Sequence, residues 1–292
     1  MLERFFSFMR KMKDKHHFLT SNIFFECIEP CFQKTKSIMN FEVLEPDEDS
    51  VRFYGENSER VSFVANMLAD EQSKKEYLGI VKFRQTRNKK DYPLCEWKPE
   101  YFIKEIKLDE NEVFIDCGAY TGDTIYDFLR HSRKKYRQIV AFEPDSKNFE
   151  KLKRNYGDNS RITLINAGLY DKDGVVCFRG GGDVFSRVID ILDGNQENSA
   201  SVQVRAIDNL NLEHVSYIKM DIEGSELKAL KGAEKTILRD KPKLAICIYH
   251  SNEDMLCIAE YIHSIVPEYK LYVRHHASYS ALHETVLYAI MA

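Results

Sequence analysis

The chain has 292 residues, of which 30% are charged and 43% hydrophobic, and its formal net charge at pH 7 is −4. This slightly acidic balance argues against a nucleic-acid-binding protein, which would carry a basic surface. We expect no transmembrane helix, because no apolar stretch reaches ~18 residues, and we expect no secretory signal peptide. The seven scattered cysteines, an odd number, indicate reduced thiols and a cytoplasmic protein.

The first 98 residues have the least specific pattern, and we expect a mainly helical N-terminal extension over 1–98. Helical periodicity of apolar residues is clear between Ser58 and Thr86. Residues 1–17 combine aromatic and basic side chains, so an amphipathic helix is the plain interpretation and contact with an anionic membrane surface is the alternative. We expect the extension to pack over the edge of the sheet that follows it.

The next segment has the pattern of a nucleotide-cofactor loop. An apolar run ends at Asp116 and leads into a turn that opens a helix and contains Gly118, Ala119, Tyr120, Gly122 and Asp123. The two glycines allow the backbone to approach a ligand closely, and N–H groups at the helix start face that ligand. A dinucleotide loop has its acidic residue roughly 20 residues after the glycines, whereas Asp116 precedes them. The pattern therefore favours a smaller cofactor with an ammonium group that Asp116 or Asp123 can meet.

A second apolar run, Gln138–Phe142, ends in Glu143, Pro144 and Asp145. In a doubly wound sheet, Glu143 lies beside the first loop, where its oxygens can accept both hydroxyls of an adenosine ribose. The alternative is that these acids only cap the helix that we expect over 146–156.

A third run ends at Asn166, where an adenine edge would lie, although turn chemistry alone also explains an Asn-Ala-Gly sequence. The segment from Leu169 to Phe178 predicts a β-hairpin with its turn at Asp173-Gly174. Residues 180–200 are rich in Gly, Asp, Asn and Ser, which predicts a mobile loop that can serve as a lid.

The fourth and fifth runs carry the candidate catalytic residues. The fourth ends in Asp221 and Glu223 before a helix expected over 225–239, and the fifth ends in His250. The carboxyl ends of parallel strands meet at one edge, so Asp221 can orient His250 as a general base. Alternatively, His250 is a polar turn residue, and Glu223 and Glu226 only cap the helix. Asp221, Glu223, His250 and Asn252 can also hold Mg²⁺, but the spacing does not require a metal and we assign none.

Two further runs close the predicted sheet, Tyr269–Val273 and Glu284–Ile290. The segment Arg274–Ser278 between them is basic and rich in histidine. It is either a turn that touches a phosphate or carboxylate, or an exposed connector.

Together these segments resemble the FkbM-type family of S-adenosylmethionine-dependent methyltransferases. The resemblance rests on Phe114–Asp123, Ala141–Pro144, Ile218–Glu226 and Glu284–Tyr288, and it covers roughly residues 99–292. It implies the α/β, Rossmann-like class I methyltransferase fold, a seven-stranded, mostly parallel doubly wound sheet with an antiparallel last strand. The implied domains are the extension 1–98 and the methyltransferase domain 99–292.

The resemblance also implies an O-methyltransferase that uses S-adenosylmethionine and acts on a hydroxyl of a small molecule, with a sugar or glycan as our best guess. Asp221, Glu223 and His250 are the catalytic candidates, and we expect Tyr101 or Phe102 near the acceptor. The cofactor-binding candidates are Asp116, Gly118, Ala119, Tyr120, Gly122, Asp123, Glu143, Pro144, Asn166 and Asp221. The competing functions are a non-catalytic scaffold that binds an adenosine cofactor and a nicotinamide-dependent oxidoreductase. The sequence does not predict an oligomeric state.

Overall fold

The computed structural model describes most of the chain after residue 45. The described residues are 46–91, 93, 95, 99–179, 188–189, 199–277 and 282–291. The expectations for residues 1–17, for most of 180–198 and for Ser278 lie outside these residues. Within them, no helix is long and apolar enough to cross a membrane.

The described strands form two sheets. They are β1 (Val113–Cys117), β2 (Gln138–Phe142), β3 (Ile162–Ile165), β4 (Gly168–Leu169), β5 (Gly174–Arg179), β6 (Val188–Ile189), β7 (Ser199–Arg205), β8 (Tyr217–Met220), β9 (Lys243–Cys247), β10 (Lys270–His275) and β11 (Thr285–Ile290). The larger sheet has seven strands in the order β10-β11-β9-β8-β1-β2-β3. Strand β11 is antiparallel to both of its neighbours, and the remaining pairs are parallel. The predicted mostly parallel sheet with an antiparallel last strand is confirmed.

The central strands are buried on both faces, because helices cover both sides of the sheet. All five residues of β1 and all four of β8 are buried. Parallel strands of this kind read as continuous apolar runs instead of alternating patterns. For this reason, the apolar runs in the sequence predicted where the strands of this sheet lie.

The described helices surround this sheet. They are α1 (Glu48–Glu56), α2 (Ser58–Met67), α3 (Glu71–Thr86), α4 (Asp123–His131), α5 (Ser146–Tyr156), α6 (Glu226–Lys231), α7 (Glu234–Asp240) and α8 (Asp254–Ile265). Aspartates cap three of them, since Asp47, Asp70 and Asp145 accept N–H groups in the first turns of α1, α3 and α5. The helix expected over 146–156 is confirmed, and so is the capping role of Asp145.

Two local predictions were wrong. Strands β4 and β5 do not form a hairpin, because both pair with β7, which lies between them in the smaller sheet of order β4-β7-β5-β6. The single helix expected over 225–239 is two helices, with a break at Gly232-Ala233. A Cβ on Gly232 would overlap the backbone carbonyl of Tyr170, so this close approach accounts for a glycine at the break.

Helices α1–α3 pack against one side of the sheet, where α3 contacts β10 and α2 contacts α8. Arg274 on β10 is buried and forms an ion pair of 2.7 Å with Asp70. His275 and His276 are also buried, and their rings contact Thr285 and Tyr288. The interpretation of 274–278 as an exposed or phosphate-binding turn was therefore wrong for residues 274–276.

Candidate active site

A buried ion pair lies at the carboxyl ends of β1 and β8. Asp116 pairs in register with Lys219, and the Nζ of Lys219 lies 3.3 Å from a carboxylate oxygen of Asp116. Both side chains are almost fully buried. Burial raises the pKa of Asp116 to about 6, while the nearby Lys219 charge opposes that rise. Lys219 also donates to the Gly118 carbonyl at 2.9 Å, so the pair holds the first loop against β8.

Lys219 was absent from the sequence-based candidates. The available signal was a lysine inside an apolar run that predicts a strand buried on both faces, because a buried lysine requires a partner.

The two glycines of the first loop are needed for packing within the protein. Both have left-handed backbone, with φ of 80° at Gly118 and 96° at Gly122. A Cβ at Gly118 would overlap the carbonyl oxygen of Asp221, and one at Gly122 would overlap the ring of Tyr156. Contacts with the end of β8 and with α5 therefore already require glycine at these two positions, and the close approach of a ligand stays a prediction.

Glu143 joins the first loop to the end of β2. Its carboxylate accepts the N–H of Tyr120 and the N–H of Asp145, both at 2.8 Å. Burial raises the pKa of Glu143 to about 7, against the effect of these two hydrogen bonds. Asn166 donates its amide to the carbonyl oxygens of Glu143 and Pro144 at 2.8 and 3.3 Å.

The structure thus brings together Tyr120, Glu143, Pro144 and Asn166, all of which were predicted from the sequence. Ala119 is buried and donates its N–H to Phe142, whereas the Tyr120 ring is 40% exposed and Asp123 is exposed at the start of α4.

Asp221 is fixed by two tyrosines from different segments. Tyr101 donates to one of its carboxylate oxygens at 3.2 Å, and Tyr249 donates to the other at 3.3 Å. Burial would raise the pKa of Asp221, but contacts with His250 and the charge of Lys219 lower it to about 2. Tyr101 therefore lies at the candidate site, whereas Phe102 packs against Phe114 and Phe128 in the core.

His250 lies between three carboxylates. Its Nε2 is 3.4 Å from Asp221 and 3.6 Å from Glu223, and its Nδ1 is 3.2 Å from Glu226. Burial would lower the pKa of His250, but Asp221 and Glu226 raise it to about 10. In the metal-free protein, an imidazole with this pKa is protonated at neutral pH, and it offers a lone pair only once a proton is displaced. The role of general base that the sequence suggested for His250 stays a prediction, and it would require the ring to lose this proton first.

Glu223 is more accessible than its neighbours, with 54% of its side chain exposed. Burial raises its pKa, His250 opposes the rise, and the charge of Asp221 adds to it. Its backbone has a φ of 56°, which is uncommon for a residue other than glycine and is found at strained functional positions.

Asn252 does not belong to this cluster. Its side chain accepts from Tyr54 and Arg84 at 3.1 and 3.0 Å and donates to Ser50 at 2.9 Å. It therefore faces helices α1 and α3, and the set of Mg²⁺ ligands that included Asn252 was wrong. Glu226, which the sequence suggested only as a helix cap, takes part instead, and it also accepts the N–H of Ile222 at 2.8 Å.

Comparison with known proteins gives consistent matches. The model of the methyltransferase FkbM domain matches residues 116–276. The 2-O-methyltransferase NoeI of Sinorhizobium fredii is 24% identical over 148 residues, which are 44% of this chain and 60% of NoeI. The crystal structure of methyltransferase FkbM from Methylobacillus flagellatus superposes with a TM-score of 0.69 and 30% identity. That match covers 82% of this chain and 60% of the other. In both cases the match spans less than two thirds of the relative's length.

Proposed function

Because this chain belongs to the FkbM methyltransferase family, we propose that it transfers a methyl group from S-adenosylmethionine to a hydroxyl oxygen of a small molecule, a sugar or glycan. The observation that carries the proposal is the convergence of Glu143, Asp221 and Glu223 at the carboxyl edge of one parallel sheet. Ligands of open α/β sheets bind at this edge.

The loop residues fit a nucleoside cofactor. Each oxygen of Glu143 accepts one backbone N–H, which leaves each with the capacity to accept a ribose hydroxyl. Asp123 is exposed and can meet an ammonium group. Asp116 is fully buried against Lys219, so we assign it to holding the loop and not to direct contact with the cofactor.

The chemistry divides between alignment and proton removal. S-adenosylmethionine supplies an activated methyl group, so placing the acceptor oxygen in line with it accounts for much of the rate. We assign proton removal to Glu223, because its pKa is raised and its side chain is accessible. Asp221, with a pKa of about 2, is a weaker base, and its two tyrosine partners suit it to orienting the site.

The charges at this edge support an uncharged acceptor. Burial and the charges of Asp221 and Glu284 raise the pKa of Glu223, and burial beside Glu284 and Asp221 raises the pKa of Glu100 well above its usual value. Negative charge repels phosphate groups, whereas carboxylates accept hydrogen bonds from sugar hydroxyls. The relative NoeI is a 2-O-methyltransferase, which also supports oxygen as the acceptor atom.

The test is calorimetry followed by product analysis. We expect S-adenosylmethionine and S-adenosylhomocysteine to bind, and mass spectrometry to show methyl uptake by neutral sugars or glycans before nucleotide sugars. Binding of NAD alone would favour an oxidoreductase. Cofactor binding without methylation of any hydroxyl compound would favour a non-catalytic scaffold.

A further inference from the structure

We propose that Asp221, Glu226 and His250 form a binding site for a divalent cation of the group that includes Mn²⁺ and Zn²⁺. The three side chains come from three places in the fold: the end of β8, the first turn of α6 and the end of β9. Each offers one ligand atom, and these atoms all lie within 4.8 Å of one another. Three donors at such separations can surround one ion with small adjustments, because metal–ligand bonds are about 2.0 to 2.3 Å long.

Buried polar atoms without hydrogen bonds support this site independently. The Glu226 side chain is fully buried and the His250 side chain is 6% exposed. No hydrogen bond of ordinary geometry reaches Oε2 of Glu226 or either ring nitrogen of His250. The contacts of His250 with the carboxylates, at 3.2 to 3.6 Å, are ion-pair distances. Unsatisfied buried groups are costly, and a bound ion is one of the established reasons for retaining them.

Negative charge is also in excess. His250 carries at most one positive charge against the carboxylates of Asp221, Glu223 and Glu226. The Lys219 side chain, which is buried nearby, already pairs with Asp116 and with the Gly118 carbonyl. A divalent cation would offset the remaining charge.

The donor types select the ion. Two carboxylates and one imidazole suit Mn²⁺ or Zn²⁺, whereas Mg²⁺ prefers oxygen ligands alone. Tyr101 and Tyr249 donate to Asp221 and so fix its orientation, as partners of metal-binding carboxylates commonly do.

The cation would have a role in the proposed methyl transfer, and this part of the inference rests on that proposed function. It would polarise the acceptor hydroxyl and lower its pKa. The hydroxyl proton would then pass to Glu223 as the new oxygen–methyl bond forms and the sulfur–methyl bond of S-adenosylmethionine breaks. Glu223 is placed for this role, because its carboxylate lies 3.6 Å from His250.

The experiment is titration of the chelator-treated 292-residue chain with MnCl₂ and with ZnCl₂ in a calorimeter, with Mn²⁺ EPR as a second readout. We expect one ion per chain, and at least a tenfold loss of affinity in both Glu226→Gln and His250→Gln. Glu150→Gln changes an exposed carboxylate on α5 and serves as the matched control, with unchanged affinity. Circular dichroism checks that each variant is folded.

The cation site would be overturned if neither metal bound at about 1 mM, the upper end of the dissociation constants known for weak calcium sites. Equal binding by all variants would also overturn it. The proposed function is tested separately. Methyl transfer by the metal-free protein would leave the function intact and reject the cation's role, whereas metal binding without methyl transfer to any hydroxyl compound would reject the function and retain the site.

Discussion

Replacement of His250 by Gln should remove a pH-dependent contribution to stability in the metal-free protein. The pKa of His250 is raised from 6.5 to about 10 by its carboxylate neighbours. A group whose pKa is raised by folding stabilises the protein fully below its unfolded pKa, and this contribution is lost as pH rises through the folded pKa. The stabilisation by His250 is therefore expected to be lost between about pH 6.5 and about pH 10.

The linkage relation sets the size of the effect. For these two pKa values, the contribution of His250 to the free energy of unfolding is about 5 kcal/mol at pH 6, about 3 kcal/mol at pH 8 and less than about 1 kcal/mol at pH 10. The His250 side chain is 6% exposed, so solvent screening reduces these values little. The loss on replacement is also in the range known for breaking a buried ion pair, about 3–5 kcal/mol.

The assay is urea denaturation of the wild type and of His250→Gln at pH 6, 8 and 10, with a chelator present. Groups away from the site titrate in the same way in both proteins, so the difference in the free energy of unfolding reports His250 together with the carboxylates that it contacts. We expect that difference to shrink steadily as pH rises. If the difference in the free energy of unfolding were the same at all three pH values, the proposal of a charged His250 imidazole between Asp221 and Glu226 would be wrong.

Two further variants test the site and the loop. Glu223→Gln should lower kcat by about 10²- to 10⁴-fold, the usual contribution of a general base, while the Kd for S-adenosylmethionine stays within twofold; a variant with wild-type kcat would exclude Glu223 as the base. Gly122→Ala should destabilise the fold by about 2–4 kcal/mol in urea denaturation, because φ is 96° and the new Cβ would meet the Tyr156 ring. Gly174→Ala, where a Cβ meets no atom within 4 Å, is its control, and equal losses in the two variants would show that the packing argument is wrong.

The sequence predicted the large sheet well because its signal is local. Each parallel strand is one short apolar run, and polar residues follow where the run reaches the edge of the sheet. Thus β2 and α5 were located to the residue, and Glu143 and Asp221 were placed at the same edge.

What the sequence did not reveal depends on contacts between distant segments. The hairpin prediction failed because β7, about 25 residues further along the chain, pairs with both arms. Asn252 was assigned to the site, but Arg84 and Tyr54 from the N-terminal helices hold it elsewhere. Lys219 was not selected because its partner, Asp116, is identified only by the strand register.

The most direct test of the central claim is calorimetric titration of S-adenosylmethionine into the wild type, Glu143→Ala and Glu150→Ala. We expect the wild type and Glu150→Ala to bind with equal affinity, and Glu143→Ala to bind at least tenfold more weakly. The reason is that Glu143→Ala loses two charge-assisted hydrogen bonds to the ribose, and the loss of each one costs about 1.5–3 kcal/mol. Wild-type affinity in Glu143→Ala would contradict the placement of the cofactor at this edge of the sheet.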